Sequence, residues 1–115
     1  MIRRKDELVT EIRNRMRGGM GDVEICHIFK QDELKGKARL VAKIKLEPGC
    51  SIGPHEHVDE EEIFYILKGT ATVNDNGEIN KLSPGDALLT GGGAMHSISN
   101  NSNDTLELMA VIILF

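Results

Sequence analysis

The sequence has no long apolar segment, only two cysteines and no excess of basic residues, and each shortage argues against a class of protein. Its longest uninterrupted apolar run, 108–115, has eight residues, whereas a membrane-spanning helix needs about 20. The cysteines are too few for a disulfide framework and the first residues do not resemble a secretory leader, so we expect a reduced, cytoplasmic protein. The formal net charge of −4 argues against a basic nucleic-acid surface, so we expect neither nucleic acid nor a membrane as a partner.

The length and composition are those of one folded domain. At 115 residues the chain fits a single domain, 1–115, that would bury roughly two-thirds of its unfolded surface. Residues 1–21 would form an N-terminal arm, in which Leu8, Ile12 and Met16 are spaced by four. This spacing predicts a short surface helix or, failing that, an irregular segment that ends at the glycines after residue 17.

From residue 23 onward the pattern is that of strands. In residues 38–46, Ala38, Ala42 and Leu46 belong to an apolar set that alternates with a mostly charged set, which is the period-two signature of a half-buried strand. The pair Asn76-Gly77 is the strongest two-residue signal for a hairpin. Several short strands separated by Gly, Pro and Asn turns predict an all-β fold, built as an antiparallel sandwich or barrel.

Three of the four histidines form one pattern with a glutamate. His55 and His57 lie two residues apart on a predicted strand, so their side chains point to the same face with Cα atoms about 6.5–7 Å apart. Glu62 begins the next predicted strand, and His96 would reach the same point from across the barrel. Imidazole and carboxylate bind divalent transition metals, and this set of four leaves open positions on an octahedral ion.

The choice of glutamate is the open point in this pattern. The turn before Glu60 resets the alternation, so facing alone does not separate it from Glu61 or Glu62. We prefer Glu62 because it shares a face with Phe64, at the rim of an apolar interior, and Glu61 is the alternative ligand. The glutamates that are not ligands are expected to be solvated.

These residues resemble the two sequence motifs of the cupin superfamily. Every position of the first motif is matched, by Gly49, His55, His57, Glu62 and Gly69. The second motif is matched by Gly85, Gly93, His96 and Asn100 and departs at its proline, where Gly91 stands. Nine spaced positions therefore agree, and the resemblance covers residues 38–113 approximately.

The resemblance implies a double-stranded β-helix, or jelly roll, of six to eight strands, with residues 38–113 as the barrel. It also implies that His55, His57, Glu62 and His96 are metal ligands, with manganese, iron, nickel, cobalt or zinc as the ion. It does not identify a substrate, because the superfamily includes dioxygenases, oxalate-handling enzymes, isomerases and proteins without known catalysis.

A divalent ion held by three neutral imidazoles and one carboxylate keeps a net charge near +1, which favours a small carboxylate-type anion or dioxygen as its ligand. We expect a small, mostly apolar pocket for it. One hypothesis is a metal-dependent enzyme of dioxygenase or oxalate decarboxylase-like type. The other is a non-catalytic module that binds or senses a metal and a small metabolite, favoured because no second catalytic group is evident and Arg39 is expected to point outward.

The strand predicted over 62–67 is apolar on both faces. With Phe64 and Ile66 inward, Ile63, Tyr65 and Leu67 would form an outward apolar face that needs a cover. We therefore predict a homodimer with twofold symmetry.

Overall fold

Ten strands form two antiparallel sheets, and the computed structural model describes all 115 residues. The strands are β1 (Val9–Asn14), β2 (Asp22–Phe29), β3 (Ala38–Leu46), β4 (Ser51–Glu56), β5 (Glu60–Lys68), β6 (Ala71–Asp75), β7 (Glu78–Leu82), β8 (Ala87–Gly91), β9 (Met95–Ser99) and β10 (Leu106–Leu114). One sheet has the order β1-β2-β3-β10-β5-β8 and the other the order β4-β9-β6-β7. The all-β prediction is confirmed, and eight strands, β3 to β10, occupy residues 38–114, where the barrel is predicted.

The core lies between the inward faces of the two sheets and contains 15 buried apolar residues. The central strand β10 illustrates how the alternation builds it, because Leu106, Leu108 and Ala110 are fully buried while the residues between them are partly exposed. Ile52 of β4 and Ile98 of β9 face them from the four-stranded sheet. This packing fixes which face of β5 points inward, and therefore which of its glutamates enter the interior.

The predicted N-terminal surface helix is wrong. Residues Val9–Asn14 form β1, which pairs with β2 at the edge of the six-stranded sheet. Ile12 is 59% exposed, so the apolar spacing had no surface on which to pack, and a helix this short is marginal without packing. Strand pairing instead satisfies the backbone hydrogen bonds of the segment. Helical structure is limited to three short 3-10 turns, and no helix here has the length and apolarity needed to cross a bilayer.

A backbone-to-backbone contact fastens the end of the arm to β4. A Cβ placed on Gly53 would lie 2.0 Å from the carbonyl oxygen of Arg17, and one on Gly19 would lie 2.2 Å from that of Ser51. The amide of Ser51 also donates to the carbonyl oxygen of Met20 at 2.8 Å, and the amide of Met20 donates to the Ser51 hydroxyl oxygen at 2.9 Å. Glycine is required at these two positions because no side chain fits between the two backbones.

Gly53→Ala should therefore destabilise the protein by about 1–3 kcal/mol, since the added methyl group would force the two segments apart. Urea unfolding measures the change. Gly36→Ala is the matched control: a Cβ there meets nothing within 4 Å, so its effect should stay within about 0.5 kcal/mol. Equal stability of the two variants would contradict the close contact.

Candidate metal centre

The four residues predicted as ligands come together between the two sheets. His55 lies near the end of β4, His57 directly follows that strand, and His96 is in β9. His55 and His96 are register partners across the β4–β9 pair, so both enter the interior from the four-stranded sheet. Glu62 reaches the same point from β5 of the six-stranded sheet. Their side chains are buried except that of His55, which is partly exposed.

The donor atoms converge as the ligands of a single ion would. The Nε2 atom of His96 lies 3.0 Å from Nε2 of His55, 3.0 Å from Nε2 of His57 and 3.1 Å from Oε1 of Glu62. Nε2 of His57 is also 3.0 Å from Oε1 of Glu62, and all four atoms lie within 4.8 Å of one another. An octahedral ion with bonds of about 2.1 Å holds neighbouring donors about 3.0 Å apart, so the spacing fits a divalent metal. Metal ligation itself stays a prediction.

The hydrogen bonds of His55 and His57 fix which nitrogen faces this point. Nδ1 of His55 donates to the carbonyl oxygen of Gly53 at 2.8 Å, and Nδ1 of His57 donates to Oε2 of Glu60 at 2.5 Å. Carbonyl and carboxylate oxygens only accept, so each neutral ring carries its hydrogen on Nδ1. The Nε2 lone pairs are then directed at the common point, where a cation would complement them.

His96 is held by two further contacts. Its Nδ1 atom lies 2.9 Å from the hydroxyl oxygen of Thr90, which can accept its hydrogen. Its ring stacks on Phe64, with centroids 4.8 Å apart and planes inclined by 12°. A stacked and hydrogen-bonded ring has little freedom to rotate. The Nε2 lone pair of His96 is therefore directed at the common point before any metal binds.

When no cation lies at the common point, a proton on Nε2 of a histidine takes its place and is donated to Glu62. Burial would raise the pKa of Glu62, but hydrogen bonds from His57 and His96 outweigh it and hold that pKa below its usual range. The hydrogen bond to Glu62, followed by the bond to Glu60 after the opposing effect of burial, raises the pKa of His57, whereas burial lowers the pKa of His55. Protons and a metal ion therefore compete for the same lone pairs.

Glu60 and Arg39 belong to the centre, contrary to the prediction that they point into solvent. Arg39 donates two parallel hydrogen bonds to Glu60, from Nε to Oε1 and from Nη2 to Oε2, both at 2.8 Å. Glu60 shares the inward face of β5 with Glu62, a parity that the sequence could have indicated once Glu62 was chosen. Arg39 is re-aimed by a β-bulge, since Ile112 and Ile113 of β10 pair with residues 40 and 38 of β3 and skip residue 39.

Glu61, the alternative ligand, lies outside the cluster. It occupies the opposite face of β5 and pairs with Gly91 of β8. A Cβ on Gly91 would come within 2.6 Å of the Cβ of Glu61, so this close strand pair explains why glycine stands where the second motif has proline. Asn100 of that motif has a structural part, because its buried side chain donates to the carbonyl oxygens of Leu46 and Asp104.

A cavity of about 80 Å³ opens beside His55, His57 and Glu62. It is small, as predicted, but half of its lining residues are charged or histidine rather than apolar. The additional charged residues are Glu11, Arg13, Arg17 and Arg39. The first three come from the arm, whose path over the cavity could not be predicted once it was assigned to a surface helix.

Comparison with known proteins agrees with the fold. The family model of the cupin domain matches residues 42–112. An oxalate-binding protein of Thermotoga maritima is 45% identical over 114 residues, which cover 99% of this chain and 94% of that protein. The crystal structure of a predicted oxalate decarboxylase from Thermotoga maritima is 44% identical and superimposes over 100% of both chains with a TM-score of 0.94. The polyketide cyclase RemF of Streptomyces resistomycificus, 19% identical, shares the fold over 99% of this chain and 80% of its own, with a TM-score of 0.79.

Glu60, which accepts the hydrogen bond from Nδ1 of His57, gives a prediction for the metal-free protein. The hydrogen bond from Arg39, and then that from His57, lowers the pKa of Glu60 from 4.5 to about 2. A carboxyl group with a depressed pKa stabilises the fold above its ordinary pKa, and this contribution is lost as pH falls from 4.5 toward 2. Glu60→Gln should cost about 1–3 kcal/mol at pH 7, with a difference from wild type that shrinks across this interval.

Urea unfolding of chelator-treated protein at several pH values measures this difference. Glu78→Gln is the control, because Glu78 is an exposed residue of β7 without a side-chain partner. A Glu60→Gln deficit that stays constant between pH 7 and pH 3 would count against the bonded carboxylate.

Proposed function

The chain belongs to the cupin family, and on that premise we propose that it binds a divalent transition metal and uses the ion to bind a small dicarboxylate such as oxalate. The ligands are His55, His57, Glu62 and His96. The convergence of their four donor atoms, with three lone pairs directed at one point, is the observation that carries this proposal. The name of the 45% identical relative, an oxalate-binding protein, supports the choice of ligand class.

The charge of the site favours an anion. Three neutral imidazoles and one carboxylate leave a bound divalent ion with a net charge near +1, and four protein ligands leave two positions of an octahedron open. A bound ion would supply Lewis-acid character toward the oxygens of a ligand. The arginines that line the cavity add positive charge around those positions. A cavity of about 80 Å³ limits the ligand to a few heavy atoms.

The residues of the cavity wall favour binding without turnover. Decarboxylation needs a group that delivers a proton, and Glu11 is the only carboxyl group besides Glu62 on the cavity wall. Its hydrogen bond to His27, with help from Arg13 against the effect of burial, lowers the pKa of Glu11, so it is ionised near neutrality. The open metal positions favour the second candidate, a metal-dependent enzyme of oxalate decarboxylase-like or dioxygenase type.

The ion is one of manganese, iron, nickel, cobalt or zinc, all of which accept this mixture of imidazole and carboxylate donors. A reducing compartment, the cytoplasm, is part of the proposal, and the two free cysteines support it.

A homodimer is also part of the proposal. Tyr65 and Leu67 of β5 and Leu89 of β8 are 45%, 42% and 61% exposed on the outer face of the six-stranded sheet. β5 and β8 are paired strands at one edge of this sheet, and Leu89 is opposite Ile63, so these exposed side chains share one apolar face. Such a surface on a small protein is typical of a subunit contact, and twofold symmetry would cover it in both copies.

The metal and ligand proposal predicts the outcome of calorimetry. Oxalate should bind protein loaded with Mn²⁺ and should not bind the chelator-treated protein. His96→Ala removes one of four donors and should weaken Mn²⁺ binding by more than about 100-fold, beyond the 10- to 100-fold typical of residues behind a ligand. His27→Ala is the matched control, because His27 bonds Glu11 on the β1–β2 pair and is not one of the four. Equal metal loss in the two variants would overturn the assignment.

Incubation of the loaded protein with oxalate separates the two candidate functions. Oxalate that is bound but not consumed supports the binding module, whereas release of formate and carbon dioxide supports the enzyme.

The dimer proposal predicts a solution mass of twice 12.7 kDa by light scattering. Leu89→Lys places a charge on the apolar surface and should give a monomer without unfolding it, since Leu89 is exposed in the single chain. Ile79→Lys is matched in exposure, at 63%, but lies on β7 of the other sheet and should leave the dimer intact. A monomeric wild-type protein at micromolar concentration would refute the proposal.

A further inference from the structure

Three arginines line the cavity beside the metal cluster, and they differ in what they contact. The guanidinium group of Arg39 donates two hydrogen bonds to Glu60. Arg13 pairs with Glu11, at 3.3 Å and 3.4 Å from its two carboxylate oxygens. Arg17 lines the same cavity, and its side chain makes no hydrogen bond or ion pair with any group of the protein. It is therefore the cavity arginine whose donors remain available to a ligand.

The backbone around Arg17 is held in place. Arg17 itself has a left-handed conformation, with φ 56° and ψ 30°, which is unfavourable for a residue with a Cβ and persists only where surrounding contacts enforce it. Those contacts are present, because the carbonyl oxygen of Arg17 lies against Gly53 of β4 too closely for any Cβ to intervene. The same strand continues to His55, so one element positions both Arg17 and a predicted metal ligand.

We infer that Arg17 is a specificity-determining residue, which binds the second carboxylate of a dicarboxylate whose first carboxylate is bound to the metal. This inference rests on the proposed function and adds to it a residue of the arm, outside residues 42–112 that match the cupin domain. A guanidinium group donates two parallel hydrogen bonds to a carboxylate, a geometry that a single ion does not reproduce. A monocarboxylate such as acetate would satisfy the metal and leave Arg17 without a partner.

The test compares Arg17→Gln with Arg15→Gln in the Mn²⁺-loaded protein. Arg15 is an exposed arginine two residues away with a similar left-handed backbone, φ 52° and ψ 45°, but it does not line the cavity. The two substitutions therefore remove the same charge at the same kind of backbone position. Calorimetry with oxalate and with acetate gives the readout, and metal content is measured in parallel.

Arg17→Gln should weaken oxalate binding by about tenfold to 100-fold, as expected for loss of a charge-assisted hydrogen bond. Acetate binding should change less than about threefold, and Mn²⁺ content should not change. Arg15→Gln should bind both anions as wild type does. Arg17→Lys should recover part of the oxalate affinity, because lysine restores the charge but not the two parallel donors of a guanidinium group.

Three results would overturn the inference, and each has a different meaning. Wild-type protein that binds oxalate while Arg17→Gln binds it equally well refutes the part assigned to Arg17 and leaves the proposed function intact. Loaded wild-type protein that binds neither anion refutes the proposed function, and the inference with it. An equal loss in Arg17→Gln and Arg15→Gln would assign the effect to general charge instead of to a contact.

Discussion

The structure depends most on one electrostatic constraint, the approach of three imidazole nitrogens and one carboxylate oxygen to a common point between two sheets. Nε2 of His96 has three other donor atoms within 3.1 Å. Buried lone pairs at such distances repel one another unless a proton or a cation lies among them. The surrounding residues are arranged to keep the lone pairs there, since the other nitrogen of each ring is bonded to an acceptor.

Both sheets and the arm contribute to meeting this constraint. The four-stranded sheet supplies His55 and His96. The inward face of β5 supplies Glu62, which lies at the common point, and Glu60, which accepts the hydrogen bond from Nδ1 of His57. The arm supplies part of the cavity wall, including the arginines Arg13 and Arg17. Its position depends on the glycine contact with β4, which links the wall of the cavity to the strand that carries His55.

Much of this arrangement could be predicted from the sequence, and the exceptions have physical causes. Alternation marked β3 at its observed bounds, and the spacing of His55 and His57 located the cluster because period two is a local property. The arm could not be predicted, because a spacing of four among apolar residues indicates a helix only when a surface exists to pack it. Arg39 was missed because a bulge reverses the alternation, and bulges depend on the partner strand.

Anomalous diffraction from crystals soaked in Mn²⁺ tests the central claim most directly, because it locates the ion without reference to activity. The account predicts a single strong peak within about 2.0–2.3 Å of Nε2 of His55, His57 and His96 and of a carboxylate oxygen of Glu62. A peak at any other position, or no peak in crystals that contain stoichiometric Mn²⁺, would contradict it.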